Sequence, residues 1–336
     1  MNIAAYILRR LAFMMFVLFG VLVVTFAVSH VIPADPVGAI LGPQAPLDLI
    51  DKIKAEWGFD KPLYIQFFMY VQNLLRGNLG KSIMTTNPVL VDIINYWPAT
   101  IELSTIALIF SILIGIPTGI ISSIKRNKLP DHIIRVLSIS GLSMPAFWLG
   151  LMLLYLFYFR LGVLPGPGRV DLAVAPPARV TGFYTIDSLI QGDLGLFMHV
   201  VSHLVMPGFV LGFGAAGTIA RITRASMLEV MRQEYVKTAR AKGLKERVVL
   251  FRHILRNSLL PPITVIGMIY GGLLEGAVLT ETIFAWPGLG RYATSSFLFL
   301  DFQAVMGVTL FIGVIYSLAN LIVDVTYAYL DPRVRF

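Results

Sequence analysis

The chain contains no cysteine, which excludes both a disulfide framework and a thiolate metal site. Charge is nearly as scarce. Only 14% of the residues are Asp, Glu, Lys or Arg, against about a quarter in a soluble domain. Internal repeats, heptad runs and low-complexity tracts are also missing, which leaves no sign of a solenoid, a coiled coil or a disordered tail. What is present is apolar: 57% of the residues are hydrophobic, and the mean hydropathy is +0.77. A chain with so little charge to face water is expected to be an integral membrane protein.

Six stretches are long enough for a hydrocarbon core, which needs about 20 apolar residues. Leu11–Ile32 has no charged residue, Ala99–Ile124 has only Glu102, and Ile133–Phe159 carries Arg135 near its start. His199–Ala220, Leu259–Thr280 and Ala304–Tyr327 complete the set, the last with Asp324. Arg9 and Arg10 precede the first stretch as they would in a signal peptide. Its apolar run of 22 residues exceeds the usual h-region, and no small-x-small site follows, so a retained anchor is expected.

A net charge of +8 would suit nucleic acid, but its distribution argues for topology instead. The N-terminus, the loop Lys125–His132 with Arg135, Arg221–Asn257 and the tail Asp331–Phe336 hold 18 of the 27 basic residues and 5 of the 19 acids. The opposite side holds 9 basic residues and 11 acids. The positive-inside rule therefore places both termini and the basic loop in the cytoplasm, and six spans return the chain to its starting side. Outside, residues 33–98 are expected to form a small cap, two short helices broken at Gly58 and Pro62. The second outer loop, Arg160–Met198, is rich in Pro and Gly and reads as irregular connection. One transmembrane domain, residues 1–336, is expected.

Several motifs fail on context. Gly80-Lys81-Ser82 resembles the end of a P-loop, but Leu75 stands where its first glycine should be and no strand precedes it. "GFGAAG", Gly212 to Gly217, fits a dinucleotide fingerprint letter for letter, yet it lies within a span, where small residues allow helices to approach closely. His199 and His203 share a helix face but lack the glutamate of a zinc hydrolase, and they read as interfacial histidines bonded to backbone, with a weak metal site as the alternative. Glu102 and Asp324 lie near span ends, where water or a neighbouring helix can satisfy them. Glu275, deeper and flanked by glycines in "GGLLEGAVLTE", is the best candidate for a cavity-facing group. No constellation for enzyme chemistry is visible.

The densest block of positive charge is "EYVKTARAKGLKERVVLFRHILRNSLLP", Glu234 to Pro261. Helix formers run from Glu234 to Lys242, and Gly243 breaks them. Beyond it Leu244, Val248, Phe251, Leu255 and Leu259 recur at helical spacing and predict an amphipathic helix leading into the fifth span. Before the break the apolar residues are mostly small, too little for a membrane-surface helix, and aromatics for nucleic acid are missing. Docking on another protein and plain attachment to the membrane both remain open on these grounds.

The same stretch resembles the cytoplasmic signature loop of permease subunits in ATP-binding-cassette importers. Lys237-Thr238-Ala239 takes the Glu-Ala-Ala place, Gly243 is the glycine, and Ser258-Leu259-Leu260-Pro261 is the ending. "ILRRL", "IPADP", "HLVMPGFVLG", "LTETIFAWPGLGRY" and "LDPRVR" are similar to other parts of the dipeptide/oligopeptide branch, nearest to its B-type subunit. That resemblance implies an all-α fold of the type I importer permease, with six transmembrane helices, in the bacterial inner membrane. Its implied partners are a second permease subunit, two cytoplasmic ATPases that use ATP and Mg, a periplasmic binding protein and the lipid bilayer, with no nucleic acid. The chain itself would bind no cofactor and would not be an enzyme.

Residue by residue, the resemblance implies a coupling helix seated on an ATPase. Ala239 and Gly243 would allow its approach and turn, and Glu234, Tyr235, Lys237, Thr238, Arg240 and Lys242 would face the partner. Lys237 replaces an acid of the general motif. Glu281 with the turn Trp286, Pro287, Gly288 and Gly290 would shape an outer gate or docking surface, or only fix the start of the last span. Glu275 would belong to the pathway. Dipeptides and oligopeptides are the implied substrates, with nickel chelates, glutathione, opines and oligosaccharides as alternatives. A stand-alone secondary transporter is the rival outside the family.

Overall fold

The computed structural model describes residues 3–31, 46 and 61–330. Among these residues no strand occurs, and the β pairing is one isolated antiparallel bridge between Lys81 and Pro88. The helices are α1 (Ile3–Val31), α2 (Leu63–Leu75), α3 (Val89–Ile124), α4 (Leu129–Ser143) and α5 (Ala146–Leu153), the last continuing as a π-helical turn, Leu154–Arg160. After them come α6 (Tyr184–Ile190), α7 (Leu194–Val230), α8 (Glu234–Ala241) and α9 (Glu246–Val248), which runs through π-helical Val249–Leu255 into α10 (Arg256–Ser258). The last three are α11 (Leu260–Ile283), α12 (Leu289–Leu298) and α13 (Phe302–Leu330).

Four helices are long and apolar enough to cross a membrane: Leu8–Val28 of α1, α3, α7 and Phe302–Leu321 of α13. Counting each of two bent pairs as one span gives the expected six. Neither of those spans is straight. The third breaks between Ser143 and Ala146 at 106°, because Pro145 offers no N–H to continue the helix. The fifth bends by 45° between Glu246–Ser258 and Leu260–Glu275, where Pro261 and Pro262 occupy the first turn of α11.

Two further boundaries differ from the sequence reading. Helix α3 begins at Val89 rather than Ala99, and Asp92 in its first turn complements the helix dipole. Pro98, read as a boundary, lies inside the helix, as membrane helices tolerate. Helix α7 has 37 residues, about 55 Å of rise, against a hydrocarbon core of about 30 Å. Residues 221–230 of the expected cytoplasmic loop are therefore its continuation. Of the two short helices expected between the first spans, α2 is present, and the other falls outside the described residues. The loop after α5 is irregular as expected, except for α6.

The chain forms two compact units. One comprises the described residues up to Pro98 together with Gly288–Leu321. Its centre is a cluster of Val89, Ile93, Leu289, Tyr292, Ala304 and Val308. Two buried carboxylates hold its polar groups. Asp301 accepts from the Ser82 hydroxyl at 2.6 Å and from the Ile83 N–H at 2.8 Å. Asp92 accepts from Thr85, Asn87 and the Tyr292 hydroxyl. An acid bonded to the Ser82 hydroxyl disposes of the P-loop resemblance, since a phosphate there would meet a carboxylate.

The second unit comprises Ala99–Pro287 and residues 322–330 and is built around α7. In lipid, apolar surface gives helices no reason to pair, so close backbone approach and polar contacts must do so. The small residues of "GFGAAG" serve that purpose. A Cβ on Gly212 would lie 2.5 Å from the Ala107 carbonyl of α3, and one on Gly217 would lie 2.6 Å from the Ser138 carbonyl of α4. Ser111 also donates to the Gly212 carbonyl at 2.9 Å.

Polar contacts complete the joint. Arg224 of α7 grips Asp131 of α4 in two bonds of 2.8 and 2.9 Å, and Ser122 of α3 donates to the same carboxylate. Glu102 is satisfied by Arg169 and by Thr185, so its role near a span end is the structural one.

Arg224→Ala leaves the Asp131 carboxylate buried without its cation, a loss of about 3–5 kcal/mol in comparable cases. The purified chain is expected to melt well below wild type, and Asp131→Leu combined with Arg224→Met is expected to recover most of the loss. Unchanged melting of Arg224→Ala would contradict this role.

Candidate functional site

Helix α8 is short, and its sequence explains its seat. Val236 and Ala239 are three apart and fall on one face, and both are buried. They pack with Met227 of α7 and with Val249 and Ile254 of the π-helical segment, while Ile120, Val230 and Leu250 close the edges. The i→i+5 winding of that segment brings Val249 and Ile254 to one side. The stripe expected from α-helical spacing is consequently turned away. Leu244, Val248 and Phe251 are exposed, and Leu255 and Leu259 are half-buried.

The other residues of α8 face outward, as a docking element requires. Glu234, Tyr235, Lys237, Thr238, Arg240, Lys242 and Gly243 are all exposed. Several of them are nonetheless positioned. Lys237 pairs with Glu234 at 2.7 Å, one turn away, and Thr238 donates to the Glu234 carbonyl. Arg240 reaches across the turn to Glu246 in two bonds of 3.2 and 2.7 Å, and that carboxylate raises the pKa of the guanidinium. Tyr235 donates weakly to the His253 carbonyl and accepts from Asn257 at 3.1 Å, which ties the first turn of α8 to the segment behind it.

Gly243 closes the helix with φ +74°, and a Cβ there would meet nothing within 4 Å. Within this chain, only its left-handed backbone calls for glycine. Ala239, expected with Gly243 to allow approach to a partner, is instead buried against the chain's own core with Met227, Val249 and Ile254.

The other candidates are dispersed. Glu281 is fully buried and accepts from Thr100 at 2.7 Å. Trp286 is likewise fully buried, donates from its indole to the Ala99 carbonyl at 2.8 Å, and receives the Arg169 guanidinium 5.7 Å from its ring centre. Ala285 holds φ +47°, the sharp point of this turn. Pro287 ends the second unit, while Gly288 and the buried Gly290 open α12 in the first. Gly288 has extended backbone that any residue adopts. Glu275 is exposed beside buried Leu273, Leu274 and Ala277, so its side chain points away from its own unit.

Sequence reasoning passed over Val236 and the Asp131–Arg224 pair. The three-residue spacing of Val236 and Ala239 was visible, but the period of what they pack against was not. Asp131 was hidden among the cations of its loop.

Two family models cover the chain. The model for binding-protein-dependent transport system inner membrane components matches residues 115–336, and the model for the N-terminal part of such components matches residues 3–104. Among curated proteins, the probable D,D-dipeptide transport system permease protein DdpB of Escherichia coli is 46% identical over 94% of this chain and 93% of its own length. The dipeptide transport system permease protein DppB of Alkalihalophilus pseudofirmus is 41% identical over 99% of both chains. The glutathione transport system permease protein GsiC of Escherichia coli is 34% identical over 98% of this chain and 99% of its own. These relatives are named as permeases and not as enzymes. On this match and on its apolar helices, the chain belongs to the family of inner membrane components of binding-protein-dependent transport systems.

Proposed function

We propose that the chain is one of two membrane-spanning subunits of an ATP-driven importer of dipeptides or oligopeptides. The observation that carries this reading is near full-length identity of about two-fifths with relatives named as dipeptide permeases. A second permease subunit would complete the pathway. Two cytoplasmic ATPases would hydrolyse ATP with Mg, and a periplasmic binding protein would deliver the substrate. The basic loop and both termini would lie in the cytoplasm of a bacterium, following the charge asymmetry. The match to a glutathione permease keeps that tripeptide as the second reading.

In this scheme α8 is the coupling helix. Its exposed side chains Glu234, Tyr235, Lys237, Thr238, Arg240 and Lys242 offer the polar face, and Gly243 frees the turn that follows. Val236 and Ala239 anchor the other face to α7, so displacement of α8 by an ATPase would be passed into the longest helix of the bundle. Glu275, directed away from its own unit, would face the pathway or the second permease. The turn from Glu281 through Trp286, Pro287, Gly288 and Gly290 would brace the outer end, with Glu281 and Trp286 acting from buried positions. ATP is used by the partners alone, so this chain needs no nucleotide site.

The reading is tested by reconstituting the chain with its second permease, ATPases and binding protein in liposomes. ATP-dependent uptake of labelled dipeptide is expected, with none from this chain alone under an ion gradient. Uptake by the single chain would replace this scheme with a secondary transporter, and preferential uptake of glutathione would favour the second substrate reading.

Val236→Asp places an uncompensated charge under α8 and is expected to reduce uptake at least about tenfold while the complex still hydrolyses ATP. At Gly243 a β-branched residue in the left-handed region costs about 1–2 kcal/mol, and Asn is tolerated there. Gly243→Val is therefore expected to impair uptake in the same assay, whereas Gly243→Asn stays near wild type. Equal loss in both variants would mean that the glycine serves contact with the partner and not backbone geometry.

A further inference from the structure

The first turns of α7 meet the loop behind α5 in a group of side chains to which the proposed function assigns no role. Asp171, His199 and His203 each offer a ligand atom, and these atoms all lie within 4.8 Å of one another. His199 and His203 are four residues apart and share a helix face, with ring centres 4.9 Å apart. His199 Nε2 is 3.4 Å from Asp171 Oδ2, and His203 Nε2 is 3.6 Å from Asp171 Oδ1. Tetrahedral zinc with bonds of about 2.0–2.2 Å separates its ligand atoms by roughly 3.3–3.6 Å. Two of the three separations thus already approach the spacing that such an ion imposes.

Hydrogen bonding decides what the cluster lacks. His203 Nδ1 lies 3.0 Å from the Gly168 carbonyl, which can only accept, so Nδ1 carries the proton and donates. Its Nε2 is then a lone pair. That atom is buried and has no hydrogen-bond partner, and the side chain is 0% exposed. The second ring has the same tautomer, but its lone pair is engaged: His199 Nε2 accepts a 3.2 Å bond from the Asp171 N–H, which a metal ion would displace.

Two imidazole lone pairs and a carboxylate therefore converge. Among the described residues no Lys or Arg pairs with Asp171. The His203 Nε2 lone pair, buried and without a partner, is the unfavourable element that a cation would relieve. The Gly168 carbonyl supplies what metal-binding histidines ordinarily have, an outer partner that fixes tautomer and ring orientation. It is itself held, since the Gly168 N–H donates to the Phe284 carbonyl at 2.8 Å and its φ is +104°. Access is open, because the Asp171 side chain is 54% and that of His199 26% exposed.

We propose that Asp171, His199 and His203 form a binding site for a divalent transition-metal ion of the zinc class. Two neutral imidazoles and one carboxylate suit that class, and a fourth position remains open to water. The ion would clamp the Pro- and Gly-rich loop containing Gly166–Asp171 onto α7. This assignment is independent of the transported substrate and of the coupling helix.

The test uses the full chain, purified in lipid nanodiscs with a histidine-free affinity tag and titrated with zinc chloride alone. About one zinc ion per chain is expected. Asp171→Asn and His199→Gln, both at partly exposed positions, are each expected to weaken binding at least about tenfold without changing the melting temperature of the metal-free protein. Replacing zinc with Co2+ is expected to give the visible absorption of a four- or five-coordinate ion, and that signal should be lost in both variants. Less than about a tenth of an equivalent bound, or affinity unchanged in both variants, would overturn the proposal.

Discussion

The structure depends most on the seat of α8 against the end of α7. A helix of eight residues is too short to persist in water without tertiary support. Val236 and Ala239 supply that support by burial against Met227, Val249 and Ile254. Everything the basic loop could do mechanically follows from this. If α8 were free, a push on it would only deform a loop. Seated as it is, it shares a core with a helix that runs on for 37 residues through the second unit.

The rest of that unit makes the long helix worth moving. Apolar contact alone cannot hold helices together in a solvent of lipid tails. The joints are instead places where backbone meets backbone, at Gly212 against Ala107 and Gly217 against Ser138, and where charges pair out of water, at Asp131 and Arg224. Contacts of this kind are fixed by shape and direction. They admit a small number of discrete arrangements better than continuous sliding.

Much of this was legible in the residues, for reasons that differ by element. Spans such as α1 and α13 are written in composition, which local chain chemistry determines. The close approach at "GFGAAG" was legible because only small residues allow it. Two features escaped because they depend on backbone winding. The stripe Leu244, Val248, Phe251 presumed an α period, and the π-helical turn rotates Val249 and Ile254 inward in its place. The 106° break of the third span has a visible cause in Pro145, but hydropathy averages across it. In the segment of α8 the charges and Gly243 stood out, whereas Val236 gained its importance only from what lies beneath it. His199 and His203 were visible as a pair, but Asp171 joins them only through the path of the intervening loop.

The absence of native cysteine makes the central claim directly measurable. Spin labels at Lys237→Cys on α8 and Arg221→Cys on α7 report the distance between the two helices in the importer proposed above. If α8 is seated as described, that distance stays constant within about 2 Å between the nucleotide-free and ATP-bound states, even as the bundle switches. A change of about 5 Å or more, one helical turn, would show that α8 slides on α7 and would contradict transmission through the Val236 and Ala239 contact.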